Sequence, residues 1–177
     1  MTITEALAEL KTIQKRIEKK QGAMGGYLAR QDGIRDPLEK DGGSVLFIER
    51  ERQAVTDLQT RLVKIRTTIQ QVNQMTPIMV AGDTKTIAEW LTWRKEVAPN
   101  AQQFVKLIRG AVNDFRKTAL QKGQGVYGPG QTPTAPTDVI VNVNEVELAT
   151  LAEHLETVLG ELDGQLSLKN ATVMVDV

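Results

Sequence analysis

The sequence predicts a mainly α protein in which long heptad-patterned helices form a hairpin or bundle beside a small accessory β-sheet. Apolar residues recur at alternating steps of three and four over long stretches, which keeps one stripe of a helix facing a partner. Aromatic residues make up only 4% of the chain, so the core must be built from aliphatic helix seams. Helix-opening signals stand at Thr2/Glu5, Thr86/Glu89 and Asn144/Glu147, each pairing a capping side chain with a carboxylate three residues on.

From the first of these signals, Ile3, Ala6, Leu10, Ile13 and Ile17 mark one helical face. Its far end is left open by Gly22, Gly25 and Gly26, each costing roughly 1 kcal/mol against Ala inside a helix. Residues 31–43, with Gly33, Pro37, Gly42 and Gly43, form a connector. Ser44 is placed to cap a second helix, whose seam runs through Ile48, Glu51, Val55, Leu58, Leu62, Ile65, Ile69 and Val72. Such a seam packs against the first helix as a hairpin or against another chain, and Arg52, Gln59, Arg61 and Arg66 give it a mostly basic edge.

Pro77 ends that helix, and Ile78–Val80 reads as a short strand entering a turn at Ala81-Gly82-Asp83. A capped helix from Thr86 runs to Val97 with Trp90 and Trp93; Pro99 restarts a helix after a break at Ala98, with Phe104, Leu107, Ile108, Val112 and Phe115 at helical spacing. Residues 123–137 have the Gly, Pro, Gln and Thr content of an extended linker, open to a partner that orders it. A strand at 139–143, a closing helix through Leu148, Leu151, Leu155, Val158, Leu162 and Leu166, and a terminal strand at 173–177 complete the chain. The three short strands are expected to join in one sheet, with the terminal strand free to pair with a neighbouring subunit. The expected organisation is a helical hairpin over 1–75, a strand and helical pair over 76–122, the linker over 123–137, and a segment over 138–177 that packs on the first part.

The charge balance of 22 basic and 22 acidic residues gives no field that would favour nucleic acid or an anionic membrane. Lys11, Lys15, Arg16, Lys19 and Lys20 are therefore read as a solvated face of the first helix. Without cysteine the chain has no disulfide, thiolate metal site or thiol nucleophile. No window has the apolar length of a membrane span or signal peptide, so the expected location is the cytoplasm or a particle assembled there.

Chemistry-bearing patterns are sparse. The single histidine, His154, has no carboxylate at a recognised metal spacing, and Ser44 and Ser167 sit in no nucleophile elbow. Asp36, Glu39 and Asp41 offer oxygen ligands on a flexible connector, but lack the periodic spacing of a calcium loop and are interleaved with Arg35 and Lys40. Gly125, Gly128 and Gly130 precede no phosphate-loop pattern. No catalytic residue, metal ligand or cofactor is expected. Trp90 and Trp93, three apart beside Arg94, and Val173, Val175 and Val177 on the terminal strand are the candidate partner anchors; Ile48, Val55, Leu58, Leu62, Ile65, Ile69 and Val72 form the candidate assembly seam.

In its order of parts the chain resembles the septicolysin-like family of small helical proteins. The resemblance rests on the capped first helix, the heptad helix into Val72-Asn73, the strand and turn from Ile78 to Asp83, the capped helix at Thr86 and the last helix entered from Val143-Asn144. It spans nearly the whole chain, departs from the family in the 21–43 connector and the 123–137 segment, and implies a helical fold without transferring a site residue. The phrases Asp36–Ser44, Trp90–Pro99 and Gln165–Thr172 also resemble small structural proteins of tailed phages. The function expected is that of a non-enzymatic structural protein, a capsid- or tail-associated virion component with itself and other particle proteins as partners. A membrane-acting toxin of the septicolysin kind and a metal-dependent enzyme using carboxylates are the alternatives.

Overall fold

The computed structural model describes residues 1–176. The protein is mainly α, with helices α1 (Ile3–Gly25), α2 (Gly43–Met75), α3 (Ile87–Thr92), α4 (Ala98–Gln121) and α5 (Glu145–Thr172), and short strands β1 (Pro77–Val80), β2 (Asp83–Thr86), β3 (Val126–Tyr127) and β4 (Val139–Ile140). It divides into two compact units. One holds Met1–Thr76 together with the segment from Ser167 onward, the other Pro77–Leu166.

In the first unit α1 and α2 form an antiparallel hairpin. Ile3, Ala6, Leu10, Ile13 and Ile17 of α1 share a core with Val55, Ile65 and Ile69 of α2, and Leu58, Leu62 and Val72 pack against it. The heptad seam thus has an internal partner in α1. Glu51, its one polar member, takes both carboxylate oxygens to the Lys20 ammonium at 3.1 and 3.0 Å, while Arg61 bonds Glu9 at 2.6 Å near the other end. α1 continues through Gly22 as far as Gly25, and its Thr2/Glu5 capping box is formed in both directions.

Ser44 does not cap α2. The N-cap is Gly42, at φ 97°, a conformation glycine adopts without steric cost. Asp36, eight residues upstream of Ser44, does the capping: its carboxylate accepts from the Ser44 N–H at 2.9 Å, the Ser44 hydroxyl at 2.6 Å and the Leu38 N–H at 2.8 Å. These bonds, the Ser44 hydroxyl first, hold the Asp36 carboxyl below its usual value.

The expected three-stranded sheet is absent among the described residues. β1 pairs with β2 as an antiparallel hairpin, β3 with β4 as a parallel pair, and the C-terminal segment makes a single bridge, Met174 to Thr2. Each strand finds a partner nearer than the other strands. Val173 accepts from the Ile3 N–H, and Val175 exchanges bonds with Met1, donating its N–H at 2.7 Å and accepting from the amino terminus at 3.1 Å. Val175 is fully buried in the α1/α2 core and Val173 packs against it, so neither lies on a free edge. Val177 lies outside the described residues.

In the second unit the expected break at Ala98 is also absent. Trp93–Val97 form a π-turn that joins α3 to α4 without interruption. Pro99 has no N–H to give to the carbonyl four residues back, and the wider turn takes up the mismatch, with the Ala98 N–H reaching the Trp93 carbonyl. Segment 123–137, expected to be an extended linker, closes on itself. Asp138 accepts from the N–H groups of Gly125 (2.8 Å), Thr134 (3.0 Å) and Ala135 (2.8 Å), and the Tyr127 hydroxyl meets Thr134 at 2.9 Å. This is a compact loop tied by one carboxylate, whose acidity those backbone bonds, Gly125 first, increase.

Candidate functional site: the outer face of helix 4

Neither group of candidate chemistry comes together as a centre. Among the described residues no three histidine or carboxylate side chains are placed to hold a metal ion. Asp36 is occupied as a helix cap, and Glu39 is paired with Arg35. His154 stands exposed at the rim of a cleft of about 300 Å³ lined by Val80, Asp83, Lys85, Trp90 and Trp93.

The tryptophans serve the fold of the second unit. Trp90 is buried with Ile78, Val80, Ile87, Val158, Leu162 and Leu166, and its indole N–H donates to the Ile78 carbonyl at 3.3 Å. Trp93 packs edge-on against it at 5.5 Å, and the Lys85 ammonium sits over the Trp90 ring at 4.6 Å. As a partner anchor Trp90 is therefore unavailable, and only the half-buried Trp93 retains exposed surface.

Helix α4 presents the feature that the rest of the fold does not account for. Its buried positions are Ala98, Val105, Val112 and Ala119, seven apart and all small. Its large apolar side chains point the other way: Val97 just before it is 49% exposed, Phe104 56%, Leu107 65% and Phe115 59%. At 100° per residue these four, with Ile108 and Ala111 between them, lie along one stripe adjacent to the buried seam.

α5 sets which side of α4 is inward. Arg94 bonds Asp163 at 2.9 Å and Arg116 pairs with Glu145, so the two helices run antiparallel with their ends clamped. Between the clamps Val105 and Leu155 line a cleft of about 450 Å³, walled also by Lys106, Arg109, Asn113 and Glu156. That flank of α4 is polar and the opposite flank is the apolar stripe. A single buried face would have placed Phe104 and Phe115 inward and left Ala98 and Ala119 to solvent, since large side chains gain most from burial. The inversion leaves a line of large apolar side chains in water.

The spacing marks Phe104, Leu107, Ile108, Val112 and Phe115 as apolar positions of one helix without saying which of them face inward; of the five, Val112 is the buried one. The Ala98, Val105, Val112, Ala119 series was the available signal and is weak because alanine is common on any helix surface. Val55, Ile65 and Ile69 of the α2 seam are buried against α1, with Leu58, Leu62 and Val72 packed beside them. Ile48 is half-buried beside Tyr27 and Pro37 at the α1–α2 connector. No family model, curated protein or solved structure matches the chain.

Proposed function

We propose that this chain is a non-enzymatic assembly protein whose contact face is the outer stripe of α4. The observation that carries the reading is the inverted burial of that helix, with alanine and valine inside and phenylalanine and leucine outside. The heptad seam of α2, Val173 and Val175 are occupied within the chain, whereas the α4 stripe is an apolar surface open to a partner. The setting we infer is a phage virion, in which the protein is associated with capsid or tail, and this part rests on the likeness of the Asp36–Ser44, Trp90–Pro99 and Gln165–Thr172 phrases to tailed-phage structural proteins.

Gradient sedimentation from cells that produce the protein tests both parts. The chain is expected in fast-sedimenting fractions with nucleic-acid-filled particles, and a Phe104→Glu/Phe115→Glu variant with unchanged far-UV circular dichroism is expected to leave them for the light fractions. Wild-type protein found only as a light, unassociated species would refute the reading.

A further inference from the structure

We infer that the cleft between α4 and α5 is a second site, which takes a small molecule with an oxyanion head and an apolar body. The site is independent of the contact face, since it lies on the other flank of α4.

One wall of the cleft is a row of donors. Gln102, Lys106, Arg109 and Asn113 follow one another at steps of four, three and four, which places them along one line of α4, about 16 Å long at the helical rise. Among the described residues the side-chain hydrogen bonds made from α4 are those of Asn100, Arg116 and Thr118, so all four donors are unengaged. Lys106 and Arg109 also have no ion-pair partner among the described residues, although Arg94–Asp163 and Arg116–Glu145 close the contact with α5 on either side of them. Glu156, on the α5 wall, is the one carboxylate that lines the cleft, and neither cation closes on it.

Two positive charges against one negative favour an anion, and they direct it to the α4 wall. Lys106 and Arg109 are one turn apart, near enough for a single carboxylate or phosphate to accept from both, with the Gln102 and Asn113 amides beside them as further donors. The floor sets the rest of the ligand. Val105 and Leu155 are buried in the fold but line the cleft, Ala152 is half-buried next to them, and Gly110 has no side chain to fill the space. A volume of about 450 Å³ lies within the range of small-ligand sites. A wholly polar anion would leave this floor uncovered, and an uncharged apolar molecule would leave both cations unpaired, so the lining suits a molecule that is both.

Octanoate and octyl phosphate are the probes, with 1-octanol as the uncharged control of the same chain length. Titration of the full-length protein is expected to give saturable shifts of the Gly110 and Ala152 amide resonances with both anions, at dissociation constants of about 10 mM or tighter. The tighter of the two identifies the head group that the site prefers. Lys106→Gln/Arg109→Gln is expected to weaken both anions at least about tenfold. Glu156→Gln is expected to tighten both about two- to threefold, because it removes the one repulsive charge. Far-UV circular dichroism should stay that of wild type in each variant, and the opposite signs separate an anion site from a fold that has merely loosened. 1-Octanol binding at the same amides as tightly as octanoate would overturn the inference. So would anion shifts at Phe104 and Leu107 in place of Gly110 and Ala152, or no saturable shift at Gly110 and Ala152 in the wild type.

Discussion

At Ala81 the backbone takes φ 51°, a left-handed conformation that costs an L-residue roughly 1–2 kcal/mol and glycine little. The position is the first of the two turn residues between β1 and β2, with Gly82 at φ 84° as the second, which is the pattern of the hairpin turn that suits strand twist. Its N–H donates to Glu161 at 2.9 Å, a bond that glycine would keep. Ala81→Gly is therefore expected to raise stability by about 0.5–1 kcal/mol after the extra chain entropy of glycine is deducted, and a urea midpoint equal to or below wild type would count against the strain. Three carboxylates act at the same scale. Asp36, Glu89 and Asp138 are each held below the usual acid range by hydrogen bonds to their ionised forms, from Ser44, Thr86 and Gly125 foremost. A depressed folded value stabilises the fold above the unfolded value, so the contribution is complete at neutral pH and is lost as pH falls through the folded values, below the ordinary 3.8 for the two aspartates and 4.5 for Glu89. The amide resonances of Gly125 and Ala135 should report the Asp138 titration with a midpoint under 3.8. Retention of that acid transition in Asp138→Asn would assign it elsewhere. The Thr86/Glu89 box was plain in the sequence because both partners are local. The Asp36 cap was not, because eight residues separate it from Ser44 and no short motif has that spacing.

Among the elements, α2 and α4 show what a periodic pattern reveals and what it does not. In α2 the apolar residues fall in one narrow line, so only one face can be inward, and that face meets α1. α4 carries two adjacent lines, one of small residues and one of large, and period alone does not say which faces α5. The line of small residues lies on the side where Arg94, just before α4, meets Asp163 and Arg116 meets Glu145, and helical periodicity carries no trace of such contacts. β2 was missed for a related reason: Asp83-Thr84-Lys85-Thr86 has no apolar alternation and is a strand because the Ala81-Gly82 turn folds it onto β1. The contrast between the two helices is measurable. Ile65→Ala removes a fully buried side chain from the α1/α2 core and is expected to cost about 2–5 kcal/mol. Leu107→Ala, on the α4 stripe, should change the stability of the isolated chain by about 0.5 kcal/mol or less. Chemical denaturation of both variants at low protein concentration gives the comparison, and a cost for Leu107→Ala approaching that of Ile65→Ala would mean that the stripe is part of the core.

Across the whole molecule, the division into two units does not follow chain order, since residues from Ser167 onward return to the unit begun by Met1. The sequence offers alternating valines at 173 and 175, which announce a strand but not its partner, and the expected sheet with 78–80 and 139–143 was the wrong one of several pairings open to so short a segment. The backbone decides it: Val173 and Val175 bond to Ile3 and Met1, and each valine then points into the apolar face of α1 beneath those bonds. The segment thus closes the end of the α1/α2 core with both main-chain and side-chain contacts. Val175 is 1% exposed, so a charge placed there must either stay in an apolar pocket unpaired or pull the segment away from α1. The second course exposes Val173 and part of Ile3 as well, at roughly 1.5–3 kcal/mol for each large apolar side chain returned to water. Val175→Asp is expected to lower unfolding stability by about 3–5 kcal/mol and to abolish amide protection at Ile3. Val175→Ile, which keeps the apolar contact, should leave that protection in place. Hydrogen exchange at Ile3 is the direct measurement, and protection that survived the aspartate variant would show the α1 terminus to be held without the C-terminal segment.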